Sequence, residues 1–434
     1  MFSAPFLCHF AMPTDRSSRV SESGQRVLGY NQHRERPILE EYPDLLVILQ
    51  GYINSQVYQK DIPDMLKTEH HIDISLRSVQ NLFKKCGIKT TRRNGLTTID
   101  VGVAILKQQE DDPLGRWGNR LIKEKLARQG IHIPRDYIAR FHHTENPTGA
   151  ASRHPVTRKI HHHGLWSIGP NEEWCVDGHE KILNSMGIAV WGIIDKWSRM
   201  ELALWAVPNA RIAQVPPALY LCLVRKIGGM PLTSTSDMGT ELANFIPLVT
   251  TMRETYQPFL DERTLPAHKA VKSTSNITRE RGWRPIWEKE LGNVLHEYRL
   301  GYHSAGIHVG NEIHEGVSRW LWALIVQLRL NRIVHESQTH RVRYQKKVLL
   351  PSGGRREDFY KQPWKWGGED QLIKVPTEDV DRLLDEFDDP ASIQFGTDEM
   401  VTTCEKAFIA IGSPNLSAKV GWKVFKEMID YLDD

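Results

Sequence analysis

Asp177 stands in an unusual place for a carboxylate. It follows Trp174, Cys175 and Val176 in "EWCVDGH", a β-prone apolar run that otherwise suits a core strand. Two more acids lie farther along the chain. Asp237 comes 60 residues later, closing "PLTSTSD", and Glu280 comes another 43 residues later, in "NITRERGW". Brought together, three carboxylates repel one another and are stable only around a cation. Mg²⁺, or Mn²⁺ in its place, suits such an all-oxygen donor set. Two such ions about 3.5–4 Å apart activate an attacking oxygen and stabilise a leaving one in phosphodiester chemistry. A strand is a fitting place for a ligand of this kind, because a rigid element holds it best.

The elements that must position these acids can be read from the surrounding pattern. "EWCVDGH", "IAVWGIID" and "MELALWAVP" are three strands with short connections, an antiparallel meander. A helix follows in "IAQVPPALYLCLVRKIGG", with Pro216 and Pro217 near its first turn and Gly228-Gly229 at its end. "PLTSTSD" is a short fourth strand ending at Asp237, and a helix runs from about Glu241 to Thr255. "SNITRERGWRPIWEKELGNVLHEYRL" reads as helix. Residues 312–336 read as another, with Trp320, Leu321, Leu324 and Leu328 marking its buried side. This is the element order of an RNase H-like domain, an α/β fold with a mixed five-stranded sheet and flanking helices. There the middle of the first strand lies beside the end of the fourth. Asp177 and Asp237 therefore converge, and Glu280 on the later helix is best placed to complete the set.

Ahead of this domain the periodicity is helical. Ile62–His70, a short turn, Ser75 as N-cap and Leu76–Cys86 make a helix-turn-helix layout that ends at Gly87. Residues 111–147 repeat it, with one helix from about Arg116 to Gln129 and a second beginning near Pro134. Both units are basic. From Lys60 to Lys159 there are 19 Lys and Arg against 11 Asp and Glu, a net of +8. Arg77, Lys84, Lys85, Arg92, Arg93 and Lys123 are the candidates there for contact with duplex DNA. From Pro376 to Asp434 the balance reverses to 5 basic and 14 acidic residues, a tail suited to solvent or a basic partner.

The chain has 434 residues, 40% hydrophobic and 25% charged, enough for two or three domains. Its five cysteines are scattered without a CxxC pair, which points to a reducing compartment, nuclear or cytosolic. No apolar run approaches 18 residues, and the start lacks the basic region of a signal peptide, so neither a membrane span nor secretion is expected. The expected organisation is a disordered tail over 1–37, an all-α DNA-binding region over 38–150, the catalytic core over 165–350 and a small, acidic, mainly helical region over 351–434.

"EWCVDGHEK", "GIIDKWSR", "LTSTSDMGTELAN" and "KSTSNITRERGW" together resemble the integrase core of retroviral integrases and DDE transposases, closest to the transposon-derived integrase-core proteins of fungal genomes. The resemblance spans about Asn171 to Gly353. It implies that Asp177, Asp237 and Glu280 bind Mg²⁺ or Mn²⁺ and catalyse cleavage and strand transfer on double-stranded DNA, by a homo-oligomer and without an organic cofactor. Two features depart from the family pattern. No His-His-Cys-Cys zinc module precedes the core, and no basic SH3-like module follows it. Lys272, Arg279 and Arg281 flank Glu280 and are candidates to hold a DNA phosphate. Asp195, before a turn, reads as a cap. Glu180 and Glu241 are the alternative acids, and Trp174, Trp191, Trp197 and Trp205 read as core. "HHHG" at 161–164 has no partner cysteines for zinc. Two other readings remain open. One is a catalytically silent DNA-binding protein that retains the fold, and the other is a nuclease that uses only water.

Overall fold

A computed structural model describes residues 38–145, 165–180, 183–260, 262–272, 276–346, 348–387 and 393–433. The tail 1–37 and the histidines at 161–163 lie outside the described residues. The chain divides into two compact units, Met1–Ile48 and Leu49–Asp434. In the first, the described residues form α1 (Ile38–Glu41) and the opening of α2 (Leu45–Asn54).

The second unit begins with the helical region. α3 (Ile62–His70) and α4 (Leu76–Lys85) form the first hairpin, and α6 (Asn119–Arg128) and α7 (Arg135–Glu145) the second. Between them lies α5 (Thr98–Gln109), which the sequence reading does not single out. Its start is written in a capping box: Thr97 N donates to Asp100 Oδ2 at 2.9 Å, and Asp100 N to Thr97 Oγ1 at 3.2 Å. Val101, Ile105, Trp117, Ile122, Leu126, Ile133 and Ile138 form the shared core of α5–α7.

The sheet carries β1 (Glu173–His179), β2 (Ala189–Asp195), β3 (Glu201–Val207), β5 (Thr233–Ser236) and β6 (His268–Ala270) in the order β3-β2-β1-β5-β6. β1–β2 and β2–β3 are antiparallel, whereas β1–β5 and β5–β6 are parallel. This is the mixed RNase H-like α/β sheet the element order predicts. β2 is buried at every position because helices cover both faces, hence its unbroken apolar run. Ala189, Trp191 and Ile193 alternate onto one face with Trp174 and Val176, under α8 (Val215–Ile227) and α9 (Phe245–Tyr256). Val190 and Leu204 point to the other face, toward α10 (Ile277–Ile286), α11 (Gly292–Tyr302) and α12 (Glu312–Thr339). Strand side chains alternate with a period of two. Asp177, one position past Val176, therefore falls on the α10 side.

α10 and α11 form one nearly continuous helical rod through a π segment at Trp287–Leu291. Pro285 lies just upstream; it lacks an N–H and obstructs the regular hydrogen-bond ladder, and a π turn absorbs that disruption. α12 is longer than expected, and the reading of Leu328 as buried needs correction. Trp320 and Leu321 are buried as read and Leu324 is half-buried, but Leu328 is 44% exposed. Beyond Val326 the buried line is Val326, Leu330, Ile333 and Ser337, and Leu328 lies about half a turn from Leu330.

The C-terminal region is helical as expected: α13 (Arg356–Lys361), α14 (Thr377–Phe387), α15 (Asp398–Ala410) and α16 (Gly421–Asp433). It is not a free acidic tail. Cys404, Ala407, Trp422, Phe425 and Met428 belong to the same core as α12, and Trp422 Nε1 donates to Tyr298 O at 2.8 Å. Asp398, Glu399 and Asp430 are exposed on the outer side of these helices. A two-stranded ribbon of β4 (Gly229–Met230) and β7 (Ile373–Lys374) ties α14 beside α8.

Candidate active site

β1 and β5 run parallel with Cys175 opposite Thr235. Asp177 on β1 and Asp237, one residue past β5, thus leave the sheet side by side. Glu280 is exposed in the first turn of α10, beside buried Thr278 and Arg279. Asn276, which precedes that helix, donates from Nδ2 to Val176 O at 3.3 Å and so pins the start of α10 to β1 beside Asp177. Trp283, three residues after Glu280, donates from Nε1 to Asp177 Oδ2 at 2.7 Å. Across the sheet Asp177 faces Gly192. A Cβ on Gly192 would stand 2.7 Å from Leu204 Cδ2 and 3.1 Å from Trp283 Cη2, so the glycine makes room for the indole.

Burial pushes the Asp177 carboxyl up to about 7, and the charges of Asp237 and Glu280 add to the effect. The Trp283 hydrogen bond and the Arg279 charge oppose it. The three acids are therefore near enough for two of them to be felt at the third. Among the described residues, no group of three or more His, Cys, Asp or Glu side chains is close enough to hold a metal ion. The chemistry of the donors nonetheless fits a hard divalent cation: carboxylate oxygens, together with buried Asn276 Oδ1, which has no hydrogen-bond partner among the described residues.

Asp237 is set by its strand. Ser236 Oγ donates to Asp237 O at 2.7 Å. His268 on β6 bridges Ser234 and Ser236, with Nδ1 2.9 Å from the first hydroxyl and Nε2 3.0 Å from the second. Burial holds the His268 pKa down to about 4, so the ring is neutral and links the two serines without adding charge.

The flanking cations divide. Lys272 and Arg281 are exposed, and so are Arg77, Lys84, Lys85, Arg92 and Arg93 in the helical region. Lys123 is half-buried, and burial lowers its pKa. Arg279 is not available to DNA, which corrects the sequence reading. It is fully buried, pairs with Glu201 through Nη1–Oε2 at 2.5 Å and Nη2–Oε1 at 3.1 Å, and stacks 4.1 Å over the Trp283 ring. It braces α10 against β3 and so supports Trp283 from behind.

The other acids have structural roles. Asp195 is fully buried. Its Oδ2 accepts from Ser198 N at 2.7 Å and Ser198 Oγ at 2.6 Å, and its Oδ1 accepts from Asn171 N at 2.8 Å. It caps the turn between β2 and β3. Glu180 pairs with Arg211 at 2.9 Å, and Glu241 is half-buried beside Gly239. Trp174, Trp191 and Trp197 are core, and Trp205 is half-buried against it. The sequence reading missed Asn276, Trp283 and His268 as supports of the acids. For Trp283 there was a signal: it stands three residues after Glu280, one helical turn away on the same side.

Residues 166–350 match the family model described as an integrase core domain. The match covers the whole five-stranded sheet and α8–α12. No curated protein matches the chain.

Proposed function

We propose that the core is a DDE-type integrase or transposase-like polynucleotidyl transferase that cleaves and joins strands of double-stranded DNA. The observation that supports this reading is geometric: parallel β1 and β5 carry Asp177 and Asp237 out of the sheet side by side, and Asn276 pins the start of the helix that bears Glu280 to β1. Asp177, Asp237 and Glu280 would hold Mg²⁺ or Mn²⁺, which supplies activation of the attacking oxygen and charge relief at the leaving one. The chain's own residues prepare that site. Trp283 fixes one Asp177 oxygen through its N–H, leaving the other for a ligand. Asn276 holds the Glu280 helix against β1, and the Ser234–His268–Ser236 bridge steadies the strand that ends in Asp237. Duplex DNA as substrate, assembly as a homo-oligomer on it, a nuclear or cytosolic setting and descent from a mobile element belong to the same proposal. Among the described residues no helix is long and apolar enough to cross a membrane.

A second reading is a DNA-binding protein that keeps the fold without the reaction. It is favoured by the placement of the side chains: among the described residues no three His, Cys, Asp or Glu stand close enough together to hold a metal ion. End-labelled duplex incubated with the full chain and Mg²⁺ separates the two. The first reading expects nicked or joined products that disappear with EDTA and in Asp237→Asn, with DNA binding retained in the variant. Binding without products at any pH from 6 to 9 would leave the second.

A further inference from the structure

The two helical hairpins present different charge to solvent. In the second, α6 is a strut against the core. Lys125 Nζ lies 2.7 Å from Glu336 and 3.5 Å from Glu290, both partners being largely buried. Arg128 donates to Thr339 Oγ1 and Glu336 O, and Arg120 pairs with Glu124 at 3.3 Å. On α7, exposed Arg135 and Arg140 are accompanied by exposed Asp136.

The first hairpin is built otherwise. α3 stops at His71, which takes a left-handed φ of 57°, and Ile72 N returns to Leu66 O at 3.0 Å. Buried Ile72 and Ile74 fix the turn, and Ser75 Oγ caps α4 by accepting from Ser78 N at 3.1 Å. α4 buries Val79, Leu82 and Phe83 and turns Arg77, Gln80, Asn81 and Lys84 outward. Those four occupy helical positions i, i+3, i+4 and i+7, a single stripe. Past Gly87, reciprocal Thr90–Arg93 backbone hydrogen bonds close a tight turn that exposes Arg92 and Arg93, with exposed Lys89 just before it. Residues 74–99 hold six cations and no acid. Among the described residues, Arg77, Lys84, Lys89, Arg92 and Arg93 form no ion pair.

We infer that α4 is the helix that reads duplex DNA. This rests on the reading of DNA as the core's substrate, and it assigns recognition to one hairpin and support to the other. Arg is matched to the paired acceptors of guanine, and Asn and Gln to the donor–acceptor edge of adenine, in a major groove that admits a helix. The stripe Arg77–Gln80–Asn81–Lys84 carries these groups on one side. Lys89, Arg92 and Arg93 lie where the chain leaves the helix and take phosphates, which fixes register without reading sequence. An uncompensated positive surface also matches the charge density of a duplex.

The test uses the full chain carrying Asp237→Asn, so that no strand is cut, and selects bound duplexes from a random pool. The chain is expected to enrich a motif. Gln80→Ala with Asn81→Ala should cut the preference for that motif about tenfold or more, leaving affinity for unselected duplex unchanged. Arg92→Ala with Arg93→Ala should weaken binding to every sequence and flatten the slope of log affinity against log salt by about 2. Arg135→Ala with Arg140→Ala should change neither. An unchanged motif in the Gln80/Asn81 variant, or loss of the motif in the Arg135/Arg140 variant, overturns the assignment while DNA binding stands. Failure of the parent chain to bind duplex at low salt overturns the assignment and the DNA reading together.

Discussion

Arg279→Ala should cost about 3–5 kcal/mol of folding stability, the penalty for leaving one member of a buried ion pair unpaired. Both partners are buried, Arg279 at 0% and Glu201 at 4% side-chain exposure, so water cannot replace the lost guanidinium. The same change removes the stack on Trp283 and opens a cavity between α10 and β3. Arg279→Met combined with Glu201→Gln should recover much of the loss, because no buried charge is then left alone. Lys272→Ala and Arg281→Ala, at exposed positions, should stay within about 0.5 kcal/mol of the parent. Urea unfolding of the parent and the four variants checks this, and an Arg279→Ala loss below about 1 kcal/mol would show that the pair does not brace the site.

The second large effect depends on pH. The folded Asp177 midpoint of about 7 lies above the value of 3.8 for a free carboxyl, so the native chain holds this proton more tightly than the unfolded one. Its contribution to stability is complete below about pH 4 and is lost as pH rises through 7. The full span between the two midpoints corresponds to about 4 kcal/mol, and partial solvent access reduces the expected penalty to about 2 kcal/mol. Asp177→Asn keeps an acceptor for the Trp283 N–H and removes the charge. In EDTA the variant should therefore be about 2 kcal/mol more stable than the parent at pH 8, with the difference vanishing near pH 4. A variant less stable than the parent at pH 8 would mean that the Asp177 charge carries no penalty where it is buried.

The architecture was legible because burial writes itself into strands. The unbroken apolar run of β2 requires cover on both faces, and the order of strands and helices then fixed the neighbours of β1. Asp177 stood out for the same reason, as a charge inside such a run. The supports of the site were hidden because they depend on how α10 lies over the sheet. Asn276 reaches Val176 O, and Trp283 reaches Asp177, across separations of 100 and 106 residues. Arg279 was misread through its neighbours in sequence. Arg281 is two residues on, about 200° around the helix, so one arginine faces solvent and the other β3. In the helical region the sequence marks both hairpins as basic. Only the partners of Lys125 and Arg128, Glu290, Glu336 and Thr339 far along the chain, distinguish the strut from the free face.

The central claim is that Asp177, Asp237 and Glu280 form one cation site. Crystals of the full chain soaked in Mn²⁺ near pH 8, with data collected at the manganese edge, address it most directly. Anomalous density should appear against the carboxylates of Asp177 and Asp237, with Glu280 completing the coordination of one ion or of two about 3.5–4 Å apart. The same soak of Asp237→Asn should lose it. Saturating Mn²⁺ that leaves Asp177 and Asp237 without density, or that gathers only at other acids such as Glu241, would contradict the account.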